Sequence, residues 1–584
     1  MNTPLAWLSG LALAGLLIGQ AISQMTGGGR TSLPKKPLPP GVKPPAIRFE
    51  DLASKAGLVG VNVSGSDRQQ TYIIENTGTG VAIFDYDNDG LPDIFFVNGD
   101  RFDGGGARPT HFLYHNLGGL RFEDVTAKAG ITHTGWGQGV CAGDIDNDGY
   151  IDLFVTSWGE NVLWRNQGNG TFRDETKERG LAAPKRWSTG CSFLDYDRDG
   201  ALDLFVAHYL DFDPVKVAKP GEAGQCMWKG FPVVCGPMGL PPETMSLYHN
   251  DGKGRFTEVT DQAGLRGAKA AGLTVLTGDF DNDGWTDVYV TGDSTPSLHF
   301  LNKRNGTFEE VGAFTGIAYS EDGHEQSGMG ASAGDYDGDG LLDIVKTNFT
   351  EDIPNLYHNL GRGMFTDATA AAGLASNTQY VSWGCGFLDF DNDGWKDIFI
   401  VNGHVYPDID KRGIGQTFRQ PRLLYWNYGG KAFYDLSVEA GPGIAARHSS
   451  RGIAVGDLDN DGDVEIVAVN MHEGPSLLKN FGDRGNSILI QAQTPSGRDA
   501  IGARLNLTAG GRTQIDEVRS GGYYISQGDF RVHFGLGAAA KADLSVRWPD
   551  GKTETFSGLA SGTWVTVREG SGIVQTRKLT RSAP

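Results

Sequence analysis

The sequence predicts an all-β protein: a seven-bladed β-propeller followed by a small β-rich, sandwich-like C-terminal domain. Three observations predict it. An acidic loop of one fixed spacing recurs seven times along 584 residues. Each copy lies between short apolar runs with period-two alternation and glycine turns, the pattern of strands and not of helices. A second segment, opening on phenylalanine, also recurs seven times, but its order is shifted one place against the loops.

The acidic loop carries carboxylates at positions 1, 3, 5 and 9 and glycine at position 6. The first copy is Asp85, Asp87, Asp89 and Asp93, with Gly90 at the turn. The second is Asp144, Asp146, Asp148 and Asp152, and the third Asp195, Asp197, Asp199 and Asp203. The fourth is Asp279, Asp281, Asp283 and Asp287, and the fifth Asp335, Asp337, Asp339 and Asp343. The sixth is Asp389, Asp391, Asp393 and Asp397, and the seventh Asp457, Asp459, Asp461 and Glu465. Glycine permits the sharp turn that points the oxygens inward. Four carboxylates this close repel one another unless a cation sits among them, and an oxygen-only donor set suits Ca²⁺ best. About seven structural calcium ions are therefore expected. An EF-hand would need a carboxylate at position 12 and helical flanks. Position 12 of the first loop is Phe96, between β-branched and aromatic neighbours.

Each repeat reads as four strands. The first precedes the loop (Gly80 to Phe84), and the second follows it (Asp93 to Asn98). The third ends in Tyr-His-Asn or a variant, as at Tyr114, His115 and Asn116. The fourth opens on the recurring phenylalanine: Phe122, Phe172, Phe256, Phe308, Phe365 and Phe433. Spacing between first aspartates runs from 51 to 84 residues. Four strands in each of seven units is a propeller. The first phenylalanine segment, Phe49 to Gly57, precedes every loop, and the seventh loop has no such segment after Asn480. The N-terminal segment is thus expected to complete the last blade and close the ring, hiding two sheet edges. A glycine recurs five positions before the first aspartate (Gly80, Gly139, Gly190, Gly330, Gly384, Gly452), with Thr274 breaking the pattern. Crowding of the innermost strands at the axis accounts for it.

Composition agrees. Glycine supplies 86 residues, spread through the repeats. The loops hold 28 of the 71 acidic residues, and setting them aside turns a formal net charge of −20 into +8. Acidity thus reports metal binding and not a basic partner, and no basic stripe with interleaved aromatics points to nucleic acid. Residues 1–29 lack charged side chains, and Leu5 to Ile22 is nearly all apolar. Residues 1–23 read as a signal peptide or an N-terminal membrane anchor; either places the body outside the cytoplasm. Membrane contact is expected only through that segment if it is uncleaved. Residues 24–46 form a Gly/Pro-rich, extended linker, and 47–484 the propeller. The longest insert, Asp211 to Pro242, elaborates the third blade. Cys226 and Cys235 lie in it and suit a disulfide in an oxidising compartment. Cys141, Cys191 and Cys385 sit on apolar strands and read as small buried hydrophobes.

From Asn486 the acidic loops stop. Residues 487–493, 503–507, 523–526, 532–534 and 544–548 read as strands of a β domain over 485–575, with a tail over 576–584.

The repeats resemble the FG-GAP/VCBS repeats of integrin-α-type propellers, in which such a loop holds Ca²⁺ between a blade's first two strands. The C-terminal part, through Ile501 to Arg504, Ser520 to Tyr524, Val532 to Gly537 and Val546 to Gly551, resembles an ASPIC/UnbV domain. Together they are similar to the cartilage acidic protein family. The resemblance implies an extracellular location, calcium and binding, and it departs at Glu465.

All seven loops join strand one to strand two and so share one face. Connections on the opposite face are rich in polar and aromatic residues: Glu75, His133, Trp136, Arg186, Trp187, His324, Glu325, Trp383, His404, Tyr406, His448, Arg451, His472 and Glu473. A propeller mouth of this kind is the default ligand site. One reading has it dock an extracellular protein or glycan through aromatic and arginine anchors. The alternative is an extracytoplasmic enzyme using Glu75, His404, His448, Arg451 and His472. That reading requires several of these to converge on one pocket. No nucleophile elbow, P-loop or dinucleotide fingerprint is present.

Overall fold

The computed structural model describes residues 32–102, 108–132, 135–222 and 226–580. The expected signal segment lies outside them. No helix among the described residues is long and apolar enough to cross a membrane.

Seven four-stranded antiparallel blades form the ring, and blades two and three join into one eight-stranded sheet where Arg186 and Trp187 pair with Gly159 and Trp158. Blade one runs Val81–Phe84, Asp93–Phe96, Phe112–Asn116, Phe122–Asp124 from axis to rim. Blades two to six repeat that order, with inner strands Trp136–Gly143, Arg186–Leu194, Gly272–Gly278, Gly328–Gly334 and Ser382–Leu388. Blade seven places Ser450–Gly456, Glu465–Asn470 and Ser476–Asn480 in order and takes its rim strand, Phe49–Asp51, from the N-terminus. Phe49 pairs with Asn480 and Asp51 with Leu478, so ring closure follows the shifted order of the repeats. The seven rim phenylalanines are all buried. Each such side chain contributes about 1.5–3 kcal/mol of apolar burial.

The axis is as crowded as the recurring glycines imply. A Cβ at Gly80 would lie 1.9 Å from the Ile525 carbonyl oxygen, and one at Gly330 2.3 Å from that of Trp383. Thr274, which breaks the pattern, turns its hydroxyl on the Met329 carbonyl at 2.8 Å.

The C-terminal domain is two four-stranded sheets. One orders Val532–Gly537, Asn486–Gln493, Thr563–Arg568 and Gly572–Lys578; the other Arg512–Glu517, Arg504–Ala509, Lys541–Arg547 and Thr553–Ala560. The last strand reaches Lys578, into the stretch read as a tail. Ile488, Ile490, Leu505, Leu507, Leu544, Val546 and Trp548 form the sandwich core.

Residues 523–526, expected as a strand, are instead the tip of a loop that enters the propeller axis. Tyr523 and Ile525 adopt left-handed backbone, with φ of 56° and 45°. Main-chain bonds tie this loop to inner strands of different blades: Ile83 N–H to Gln527 O at 3.0 Å, Val140 to Ile525 at 3.1 Å, Ala331 to Tyr523 at 2.7 Å and Asp529 N–H to Val455 O at 3.0 Å. Its pairing is spread around the ring, so no regular strand forms. From the other side the short helix Ile74–Thr77 closes the channel, and the Tyr524 hydroxyl donates to Thr77 O at 2.9 Å.

Two further differences concern the ends and the cysteines. Of the expected linker, residues 24–31 lie outside the described residues, and residues 33–35 lie against blades five and six. Leu33 N–H donates to Ala375 O at 2.8 Å, and Lys35 pairs with Asp435 at 2.8 Å. Cys141 and Cys191, read as separate buried hydrophobes, form a disulfide with Cα atoms 5.7 Å apart. They sit on adjacent inner strands, three and four residues before the first aspartates of their loops, where those strands converge at the axis. Cys226 and Cys235 are also bonded, and Cys385 is free and buried.

Candidate functional site

Each acidic loop is built by the same backbone contacts. The position-6 glycine donates its N–H to the position-1 aspartate in all seven: Gly90 to Asp85, Gly149 to Asp144, Gly200 to Asp195, Gly284 to Asp279, Gly340 to Asp335, Gly394 to Asp389 and Gly462 to Asp457. Gly90 has φ of 89°, a left-handed turn that a side chain would strain. The position-2 residue turns its side chain into the core and donates its N–H to the ninth-position carboxylate, as Tyr86 does to Asp93 and Leu458 to Glu465.

An asparagine at the end of strand three then joins neighbouring blades. Its side-chain amide donates to the position-2 carbonyl of the preceding loop. Asn166 reaches Tyr86, Asn250 Ile145, Asn302 Tyr196, Asn359 Phe280, Asn427 Tyr336 and Asn480 Phe390, at 2.7 to 3.0 Å. Asn116 closes the circle on Leu458 at 2.8 Å. The sequence displays these asparagines in its Tyr-His-Asn endings, but only the blade-to-blade geometry reveals what they grip.

The carboxylates converge. Oxygens of Asp85, Asp87 and Asp93 lie within 4.8 Å of one another, a separation one ion with oxygens at about 2.3–2.6 Å can span. Asp87 Oδ1, Asp195 Oδ1 and Asp197 Oδ1 are buried and accept no hydrogen bond. Buried carboxylate oxygens without donors are costly unless a cation takes that place. Burial pushes Asp85 and Asp195 up to about 6 and Asp93 up to about 7. This donor chemistry fits Ca²⁺.

Strand three adds a residue that the loop spacing does not reveal, one place before the asparagine. In blades one and five it is His115 and His358, with Nδ1 3.2 Å from Asp93 and Asp343. In blade three it is His249, 3.1 Å from Asp203. In blades two and seven it is a fixed cation. Arg165 spans Asp146, Asp148 and Asp152, and Lys479 lies among Asp459, Asp461 and Glu465.

The C-terminal domain rests on this loop face. Arg498 donates to Gly200 O at 3.2 Å, Arg504 to Gly340 O at 2.5 Å, Arg512 to Asp393 O at 3.2 Å and Arg531 to Asp457 O at 2.5 Å. Arg547 pairs with Asp279, and Arg577 packs over Gly90.

At the opposite mouth Arg451 lies beside His404, donating to its carbonyl at 3.4 Å, and each of the five candidates is engaged by its surroundings. Glu75 caps its own segment, accepting N–H groups of Ser66, Thr71 and Tyr72. Arg451 is fully buried, stacks 4.0 Å over Trp383 and donates to carbonyls of Asn76 and Ser450. His404 is enclosed by Trp228, Phe349 and Tyr406, where burial lowers it to about 3. Burial likewise lowers His472 to about 4. His448 pairs at 2.7 Å with Glu473, which Arg419 also holds. His133 lies outside the described residues. What this face does present is an aromatic cluster. Phe102, 38% exposed, lies 4.9 Å from Tyr72 and 6.0 Å from Trp158, and Phe212 packs behind.

Comparisons with known proteins match this architecture. An FG-GAP-like repeat model matches residues 85–155, 144–206, 233–290 and 279–345, and an ASPIC and UnbV model matches 493–574. Cartilage acidic protein 1 of Xenopus tropicalis is 25% identical over 450 residues, covering 72% of this chain and 62% of that protein. The Mus musculus protein of the same name is 27% identical over 508 residues, covering 81% of this chain and 70% of that one. The chain thus spans less than two thirds of the length of the frog relative. A solved Agrocybe aegerita lectin, described as recognising non-reducing terminal N-acetylglucosamine, is 15% identical. The match covers 67% of this chain and 88% of that one at a TM-score of 0.38. The chain carries FG-GAP-like repeats and a C-terminal ASPIC and UnbV domain, and it is similar to cartilage acidic protein 1.

Proposed function

We propose that this chain is an exported, calcium-stabilised propeller that binds an extracellular protein or glycan. The observation that carries the calcium reading is the loop geometry: carboxylate oxygens held inward by backbone donors, some buried without a hydrogen bond. The residues that would hold the ions are the position 1, 3, 5 and 9 carboxylates. A bound ion would supply charge neutralisation and a bond between a blade's first two strands; its role is structural. Export is supported by two disulfides, which persist in oxidising compartments, and by relatives named for cartilage.

The ligand surface assigned here is the face opposite the loops, because the C-terminal domain covers the loop face. Tyr72, Phe102 and Trp158 provide the anchors there. Aromatic rings supply large contact area with little rotamer entropy to lose, and they pack against sugar rings or apolar side chains. A glycan and protein array probed with the calcium-loaded full chain tests this. Binding that falls at least about tenfold in Phe102→Ala or Trp158→Ala supports the assignment. Binding that survives both substitutions places the ligand elsewhere.

A further inference from the structure

We infer that blades two and seven carry a side-chain cation in the place of the calcium ion, so that the ring binds about five ions and not seven. The inference rests on the calcium reading above. At one position, just before the blade-joining asparagine, five blades carry His115, His249, Leu301, His358 and Trp426. None of these holds an obligatory positive charge. The other two carry Arg165 and Lys479.

Lys479 is buried, with 3% of its side chain exposed, and its Nζ lies 3.0 Å from Asp459, 3.0 Å from Asp461 and 2.7 Å from Glu465. A calcium ion would sit about 2.3–2.6 Å from these same oxygens. An ammonium and a dication cannot share that space, and their charges repel. Glu465 fits the exchange. Its longer side chain keeps the backbone bond to Leu458 N–H through Oε2, at 2.9 Å, and turns Oε1 to the lysine.

Arg165 does the same in blade two with a planar fork. Its Nε and Nη2 each lie 2.9 Å from Asp146, Nη2 lies 2.6 Å from Asp148 and Nη1 3.2 Å from Asp152. Arg179 adds a second guanidinium 3.1 Å from Asp146. Bidentate pairing of this kind is strong and geometrically specific.

The arrangement bears on how the ring is shut. Lys479 lies on the strand that receives the N-terminal segment, opposite Glu50. The closing blade is thereby held without an ion, and its seam does not depend on ambient calcium.

Metal analysis of the full chain, saturated with calcium and dialysed against metal-free buffer, tests the inference. The expected content is about five ions per chain. Seven would overturn the inference and leave the calcium reading standing; a content near zero would remove that reading and this inference with it. Arg165→His and Lys479→His install the residue that blades one, three and five carry. Each folded variant is expected to gain one ion, and a folded variant that gains none overturns the inference. Should a variant fail to fold, the parent's content decides.

Discussion

The side-chain amide of Asn116 donates to the carbonyl of Leu458 at 2.8 Å, across 342 residues of sequence. It is the last link of the seven-membered asparagine ring, and it joins the first blade to the last. The same amide also donates to Pro92 O at 2.7 Å, so one side chain serves both its own blade and its neighbour.

Asn116→Ala should therefore destabilise the chain by about 1–3 kcal/mol for each buried carbonyl it leaves unsatisfied. Asn302→Ala, within the ring and away from the seam, should cost a similar amount. Urea unfolding of both variants checks this, and a loss below about 0.5 kcal/mol in each would contradict it.

Asp87→Ala should remove calcium from blade one alone. The loops of blades three to six keep their own four carboxylates, and the backbone bonds of Gly90 to Asp85 and Tyr86 to Asp93 remain. Metal analysis is expected to fall by about one ion. Loss of several would mean that the loops bind as one cooperative array.

In the metal-free chain, pH should act in a defined direction. Burial, reinforced by neighbouring carboxylates, pushes Asp93 and Asp335 up to about 7 and Asp85 and Asp195 up to about 6. The folded chain therefore holds these protons more tightly than the unfolded one. Their stabilising effect is full below the ordinary carboxylate value and is lost as pH rises through 6 to 7. The metal-free melting temperature should fall between pH 5 and pH 8. Saturating calcium, which binds the deprotonated loops, should lift it most at pH 8. A metal-free melting temperature that climbs over this interval would contradict the account.

The axial loop supplies another test. Tyr524 is fully buried, packs 5.1 Å from Trp383 and reaches the helix that closes the far mouth. Tyr524→Ala should cost about 3–5 kcal/mol, as for other large buried aromatics. Tyr524→Phe should cost only the hydrogen bond, about 0.5–1.5 kcal/mol. Hydrogen exchange should show the alanine variant opening residues 520–530 and the inner strands together. Opening confined to that loop would mean that the two domains are not coupled through the axis.

The ring was legible from the sequence because its parts repeat. Seven loops, seven phenylalanine segments and their one-place offset imply both the blade number and the closure by Phe49 to Asp51. The recurring glycines likewise imply a crowded axis. Contacts without a repeat were not legible. Residues 523–526 alternate like a strand, yet their backbone partners come from several blades at once. Cys141 and Cys191 sit one repeat apart on apolar strands, and only convergence at the axis brings them together. At the opposite mouth, polar residue types suggested chemistry, but Glu75 and Arg451 spend their polar atoms on backbone. Lys479 and Arg165 were hidden for another reason: they sit on strand three, some 14 and 13 residues beyond the ninth-position carboxylates they meet.

We propose that ions among the loop carboxylates hold the ring together. Calorimetry of the full chain at pH 8, with saturating calcium and again after chelation, tests it most directly. A melting temperature lowered by about 10 °C or more on chelation, and restored when calcium is returned, is the predicted result. An identical transition in both conditions would contradict it.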